Sequence, residues 1–116
     1  EIASAIEAAH AAFPAWRAQT AKARGAILRR LHDLIVAHVE DLALILTAEQ
    51  GKPLAEARGE IMGAAASVEW FAEEGKRAYG EVIPQTIRGR RVILNREPIG
   101  VFAAITPWNF PTGMIT

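Results

Sequence analysis

An uncharged apolar run from Ile99 to Ile105, leading into a turn between Pro107 and Pro111, constrains this chain more than any other feature. Such a run, with β-branched residues at both ends, predicts a strand that is buried on both faces. Pro107 has no N–H to donate, so it ends strand pairing and favours an extended Thr106. In an α/β sheet, ligands bind in the crevice beyond the carboxyl end of such a strand. The sequence therefore predicts a binding site at this turn.

Asn109 is the short polar side chain that this stiff turn presents. Its amide offers two hydrogen-bond donors and one acceptor, and a stiff turn can aim them at a ligand. Asn side chains in turns also satisfy the backbone of their own turn, and the spacing alone allows that structural role. The sequence leaves both interpretations of Asn109 open.

The segments Glu97-Pro-Ile-Gly-Val101 and Ile105-Thr-Pro-Trp-Asn-Phe-Pro111 resemble the signature that opens the cofactor-binding domain of the aldehyde dehydrogenase superfamily. The resemblance extends upstream through Glu49-Gln-Gly-Lys-Pro-Leu54 and covers the whole chain as an N-terminal piece. It implies that Asn109 is catalytic and holds the carbonyl oxygen of the substrate as it becomes an oxyanion. It also implies that the cofactor, NAD or NADP, is bound by Ile105, Thr106, Pro107, Trp108 and Asn109.

The segment from Glu69 to Arg77, followed by Tyr79-Gly80 and Ile83-Pro84, is particularly similar to succinate-semialdehyde dehydrogenases. This resemblance implies oxidation of a small aldehyde that carries a carboxylate, with succinate semialdehyde as the expected substrate. In that branch the nucleophilic cysteine, the general-base glutamate and a carboxylate-binding arginine lie beyond the position that matches Thr116. We therefore expect the chain to be an incomplete and inactive part of a homo-oligomeric enzyme, a dimer or tetramer.

Composition narrows the classes of function. The 116 residues include 13 basic and 13 acidic side chains, and the resulting net charge of zero does not favour nucleic acid or acidic membranes as partners. No apolar run approaches the ~20 residues of a membrane span, and a cytoplasmic location is expected. The absence of Cys excludes disulfides and thiol nucleophiles within these residues. Because His10, His32 and His38 lack the spacing of metal ligands, no metal site is predicted.

Apolar periodicity predicts four helices within residues 1–80. The first predicted helix runs from Ile2 to Phe13 and stops at Pro14, and the second begins after an N-cap at Thr20. The third runs from a cap at Asp41 to Gly51, and the fourth from Pro53 to about Tyr79. The side chains expected to face the core in the first two helices are Ile2, Ile6, Ala9, Phe13, Ile27, Leu28, Leu31, Leu34, Ile35 and Val39. Those expected to face it in the fourth helix are Leu54, Ala57, Ile61, Ala64, Ala65, Val68, Phe71 and Ala72.

Residues 81–97 are predicted to form a hairpin, because Pro84 opposes a central strand and Gly89 lies in a turn-forming segment. Its similarity to the protruding hairpin of the superfamily implies a sheet that extends across subunits, whereas the sequence alone also allows an ordinary surface hairpin. Residues 98–116 are expected to form the first strand and turn of a Rossmann-like cofactor-binding domain, with the catalytic domain absent. The predicted fold class is therefore α/β. The alternative function is a non-catalytic helical binding or assembly module.

Overall fold

The computed structural model describes residues 1–116 and contains four α-helices followed by a two-stranded antiparallel sheet. The elements are α1 Ile2–Arg17, α2 Ala21–Ala37, α3 Val39–Gln50, α4 Leu54–Glu74, β1 Glu81–Ile83 and β2 Val92–Leu94. One 3-10 turn, Gly75–Arg77, follows α4. None of the helices combines the length and the apolar character needed to cross a membrane.

Helix α4 lies at the centre of the packing, because it contacts both α2 and α3. Its 21 residues make a rod of about 32 Å, and small side chains on one face allow its neighbours to approach closely. Phe71, predicted to be buried, is 56% exposed, and Leu54 is only half-buried. The other six predicted core positions are buried, and they are Ala57, Ile61, Ala64, Ala65, Val68 and Ala72. The helix ends at Glu74, earlier than predicted, where the 3-10 turn begins.

Helix α2 begins as predicted and packs differently from the prediction. The hydroxyl oxygen of Thr20 accepts a hydrogen bond of 3.2 Å from the N–H of Ala23, which confirms the N-cap. The predicted apolar stripe is divided between two faces, because α4 covers only one of them. Its half-buried members are Leu28 and Ile35, and its members that are 43–49% exposed are Ile27, Leu31 and Leu34.

Gly25 lies at a close approach of α2 to α4. It is the only buried residue of α2, and a Cβ at this position would lie 2.8 Å from the carbonyl oxygen of Ala72. A side chain larger than hydrogen would therefore push the two helices apart.

Gly25→Ala in the full-length protein is expected to lower the free energy of unfolding by about 1–3 kcal/mol, because the added methyl group meets rigid backbone. Gly63→Ala on the exposed side of α4 is the matched control, since no atom lies within 4 Å of its added Cβ. Its greater helix propensity should raise stability by about 0.5–1 kcal/mol. Urea unfolding measures both changes, and shifts of the same sign would contradict the close contact at Gly25.

Helix α1 differs from the prediction in its end point and in its burial. It continues past Pro14 to Arg17, since the missing N–H removes one hydrogen bond while the N–H of Ala18 still donates to the Pro14 carbonyl at 3.2 Å. None of its residues is buried, and Ile2 and Ile6 are 80% and 54% exposed. The predicted core-facing stripe is wrong for this chain because periodicity identifies an apolar face but not the element that covers it.

Helix α3 begins at Val39, two residues before the predicted cap. His38 occupies the N-cap position without a side-chain hydrogen bond, and Asp41 lies in the first turn, where its charge favours the helix dipole. The prediction of Asp41 as the cap is therefore wrong. The predicted end is confirmed, because Gly51 has a φ of 76° and its N–H donates to the Thr47 carbonyl at 2.8 Å.

A hairpin lies within the predicted residues 81–97, with its paired strands at Glu81–Ile83 and Val92–Leu94. Strand β1 pairs antiparallel with β2, with Val82 opposite Ile93, and Pro84 follows β1 directly, where its missing N–H ends the ladder. Both strands have three residues, and all six side chains are exposed. The hairpin thus projects from the helices without burying either face.

The run from Ile99 to Ile105 forms no strand in this chain. It makes no backbone hydrogen bond, and Ile99 and Ile105 are 94% and 102% exposed. A strand requires a neighbour that supplies hydrogen-bond partners, and β1 and β2 pair only with each other. The prediction of a buried strand here is therefore wrong for the chain as described.

Candidate functional site

The turn after Pro107 lies against the connection between α3 and α4. Residues 105–109, predicted to bind cofactor and substrate, are all exposed, and the indole of Trp108 is 82% exposed. Part of this turn borders an open depression of about 330 Å³. The residues that line it are Gln50, Gly51, Lys52, Pro53, Glu56, Trp108, Asn109 and Phe110. The structure thus brings the two motif segments together, although 50 or more residues separate them in sequence.

Two side chains from the α3–α4 connection hold the backbone of this turn. The amide nitrogen of Gln50 donates to the Trp108 carbonyl at 2.8 Å, and the ammonium of Lys52 donates to the Asn109 carbonyl at 2.9 Å. Gly51 lies between the two donors, and its left-handed conformation reverses the chain so that both side chains reach the turn.

The side-chain amide of Asn109 makes no hydrogen bond within the chain, whereas its backbone carbonyl is held by Lys52. The structural role left open by the sequence requires a bond from this amide to its own turn, and that bond is absent. The amide therefore remains available to a ligand at an exposed and anchored position.

Glu60 of α4 is the residue beneath the turn. Its side chain is only 3% exposed and forms an ion pair with Lys52, whose side chain is 10% exposed. The second carboxylate oxygen accepts hydrogen bonds from the backbone N–H groups of Thr112 at 2.9 Å and Gly113 at 3.2 Å. Lys52 also lies 4.1 Å from the centre of the Phe110 ring, within the range of a cation–π interaction.

The surroundings of Glu60 favour its charged form. Burial acts to raise the pKa of this carboxyl, but the hydrogen bond from Lys52, those from the Gly113 and Thr112 N–H groups and the charge of Lys52 together hold the pKa below its usual range. The carboxylate is therefore ionised at neutral pH. Removing one partner of such a buried pair costs about 3–5 kcal/mol, because it leaves the other charge uncompensated.

Sequence reasoning did not single out Glu60, although a signal was present. Position 60 lies three residues after Ala57 and four before Ala64, so it falls on the apolar face of α4. A carboxylate on a buried face requires a partner, and Lys52 lies eight residues earlier in a segment already identified as a motif. What the sequence does not reveal is that Thr112 and Gly113 supply the remaining donors.

The exposed surface of the turn is apolar next to Asn109. Ile105, Pro107 and Trp108 offer adjacent apolar surface on which a planar ring can pack. The chain itself has no glycine-rich phosphate-binding loop. It also has no group of three or more His, Cys, Asp or Glu side chains placed to hold a metal ion. The residues of this turn could therefore hold a planar ring of a ligand, and the chain supplies neither a phosphate loop nor a metal site beside it.

Comparison with known proteins identifies the relatives of the chain. It is 60% identical over all 116 residues to the NADP-dependent succinate-semialdehyde dehydrogenase GabD of Escherichia coli K12, and covers 24% of that protein. It is also 60% identical over its full length to the glutarate-semialdehyde dehydrogenase of Pseudomonas putida KT2440, again covering 24%. The chain therefore spans about a quarter of the length of these relatives.

Solved structures give the same result. The crystal structure of succinate-semialdehyde dehydrogenase from Burkholderia pseudomallei matches 97% of this chain with a TM-score of 0.93 and 63% identity, and the match covers 23% of that protein. This similarity confirms the predicted fold class, the N-terminal part of an α/β dehydrogenase. The sequence model of the aldehyde dehydrogenase family matches residues 1–116. The chain therefore belongs to the aldehyde dehydrogenase family.

Proposed function

We propose that these residues form the N-terminal part of an NAD(P)-dependent dehydrogenase that oxidises the semialdehyde of a small dicarboxylic acid, succinate semialdehyde foremost, to the carboxylic acid. The observation that carries the proposal is the anchored turn at 106–111, which exposes an unpaired Asn109 amide in a chain 60% identical to semialdehyde dehydrogenases. The alternative of a non-catalytic assembly module has no comparable support, because the relatives named above are enzymes.

Asn109 acts on the carbonyl oxygen of the aldehyde. When a nucleophile adds to the carbonyl carbon, the π electrons move to this oxygen, and the Asn109 side-chain N–H donates a hydrogen bond to the developing oxyanion. The resemblance to the family implies a thiolate as the nucleophile, and this thiolate lies outside these residues because they contain no Cys. Loss of hydride from the resulting thiohemiacetal leaves a thioester, and water then releases the acid. A fixed amide needs no reorganisation during this charge development.

A bound NAD or NADP would supply the acceptor for that hydride. Ile105 to Trp108 provide the surface for the nicotinamide ring, and the adjacent Asn109 orients the substrate beside it. Both nucleotides fit this proposal, because the residues that read the ribose 2′ position lie outside the chain. The full-length enzyme is proposed to be a cytoplasmic homo-oligomer.

The domain organisation follows from the same proposal. Residues 1–80 provide helices of the N-terminal part, and residues 98–116 open the cofactor-binding domain, whose other strands would supply the hydrogen-bond partners that residues 99–105 lack. The hairpin at 81–97 exposes both of its faces and both outer edges, as expected for an element that extends a sheet across subunits.

The assay that tests the proposed function compares the full-length protein with residues 1–116 alone. We expect the full-length protein to reduce NAD or NADP when given succinate semialdehyde, and the 116-residue chain to show no turnover because it has no thiol nucleophile. Failure of the full-length protein to oxidise any aldehyde with either nucleotide would refute the proposal. Turnover by the short chain would refute the assignment of the nucleophile.

A further inference from the structure

The ion pair between Lys52 and Glu60 differs from every other ion pair of the chain. Its side chains are 10% and 3% exposed, whereas each of the others has at least one side chain that is more than 40% exposed. A buried pair adds little net stability compared with apolar side chains of the same volume. Stability alone therefore gives a weak account of two charges at this position.

The hydrogen bonds of the pair converge on the turn that carries Asn109. The Glu60 carboxylate accepts hydrogen bonds from the N–H groups of Thr112 and Gly113, which follow Asn109 in the chain. The Lys52 ammonium donates to the carbonyl of Asn109 itself. Three of the four hydrogen bonds of the pair thus end on the backbone of residues 109–113.

The pair also connects the turn to the most buried part of the molecule. Glu60 adjoins Ile61, which is 2% exposed and belongs to the core formed with Ala43, Leu46 and Ala57. The exposed turn makes only a few internal backbone hydrogen bonds, the first from the Met114 N–H to the Phe110 carbonyl at 3.0 Å. Without the pair, Gln50 would be the one remaining side chain of the α3–α4 connection and α4 that forms a hydrogen bond to the turn and so holds Asn109 relative to the core.

We infer that Lys52 and Glu60 are positioning residues, which fix the backbone of residues 109–113 so that the Asn109 amide meets the developing oxyanion. The inference rests on the proposed function of Asn109. Misplacement of a catalytic group by about 1 Å can reduce the rate by 10²-fold, so loosening this anchor should act mainly on kcat.

The first test uses Glu60→Gln and Lys52→Met in the full-length enzyme. Each variant is expected to lower kcat roughly 10- to 100-fold with the KM for the aldehyde unchanged, because transition-state stabilisation is lost. Glu40→Gln is the matched control. It makes the same chemical change in an exposed pair, where Arg58 binds Glu40 at 2.8 and 2.9 Å and touches no part of the turn. Its kcat should stay within about twofold of the wild-type value.

A second measurement separates positioning from a structural role. In an Asn109→Ala background, Glu60→Gln should lower kcat by less than about threefold, because no amide remains to be misplaced. If the double variant instead lowered kcat by the product of the two single-variant factors, the inference would be overturned. A loss of kcat in Asn109→Ala combined with normal kcat in Glu60→Gln would also overturn it and leave the proposed function intact. Normal kcat in Asn109→Ala would overturn both.

The double variant Lys52→Met/Glu60→Gln addresses folding, since it removes both charges and leaves neither one buried without a partner. We expect it to unfold at a temperature closer to the wild type than either single variant does. Its kcat should remain depressed, because the thioether that replaces the Lys52 ammonium cannot donate a hydrogen bond to the Asn109 carbonyl. Recovery of kcat together with stability would show that the pair serves only folding and would overturn the inference.

Discussion

Asn109→Ala in the full-length enzyme is expected to lower kcat by about 10²–10³-fold, or roughly 3–4 kcal/mol of transition-state stabilisation, which is typical for loss of one donor from an oxyanion site. The fold should change little, because the Asn109 amide is exposed and makes no hydrogen bond within the chain. The cofactor affinity should also change little, because the proposed surface for the nicotinamide ring is that of Ile105 to Trp108. The contacts that hold the turn use the backbone carbonyl, and alanine keeps that group. The substitution should therefore lower kcat.

Steady-state kinetics with protiated and deuterated aldehyde measure this effect and show whether hydride transfer limits the rate. Asn95→Ala provides the control, since it makes the same substitution at an exposed position next to β2 and away from the turn. A decrease of less than about threefold in Asn109→Ala, with chemistry rate-limiting, would return Asn109 to the role of a structural turn residue.

The second large effect concerns substrate choice. Succinate semialdehyde, and also glutarate semialdehyde, should be oxidised with a kcat/KM roughly 10- to 200-fold above that of propanal, corresponding to about 1–3 kcal/mol of differential binding. A charge-assisted pair between a cation and the distal carboxylate would supply this difference. Lys52 is the only cation that lines the depression beside Asn109, and it is already paired with Glu60. We therefore expect the selecting cation to be a residue that does not line this depression.

Measurement of kcat/KM for succinate semialdehyde, glutarate semialdehyde, acetaldehyde and propanal, each with NAD and NADP, decides this prediction. The relatives named as a succinate-semialdehyde and a glutarate-semialdehyde dehydrogenase are equally similar to the chain, at 60% identity, so the prediction gives no order between these two substrates. Equal values for propanal and succinate semialdehyde would remove the assignment to the semialdehyde branch and leave membership of the family.

Local signals in the sequence predicted much of the fold. Thr20 and Gly51 act as the cap and the end of their helices because side-chain capping and left-handed glycine are decided by a few neighbouring residues. The hairpin was predicted from Pro84 and Gly89 for the same reason. The core of α4 was predicted because one dominant apolar face recurs over five turns.

The errors arise where the outcome depends on a partner. Ile2 and Ile6 lie on an apolar face that no element of this chain covers, and the run from Ile99 to Ile105 lacks a strand to pair with. On α2, the periodicity could not show that Leu28 packs inward while Leu31 stays exposed, because α4 covers only one of two apolar faces.

In the candidate site, too, the residues predicted from the sequence are those identified by local signals. Asn109 and its neighbours were found from a contiguous motif. The apolar face of α4 shows only that Glu60 needs partners, because two of them, Thr112 and Gly113, are more than 50 residues away. Long-range hydrogen bonds to backbone groups leave no local pattern in the sequence.

The structure of the full-length enzyme with cofactor and product acid bound tests the central claim most directly. If Asn109 stabilises the oxyanion, its side-chain nitrogen will lie about 2.7–3.1 Å from an oxygen of the carboxylate formed at the reacting carbon. The Lys52–Glu60 pair will still hold residues 109–113. An Asn109 amide bonded to its own turn, with other donors on that oxygen, would contradict the account.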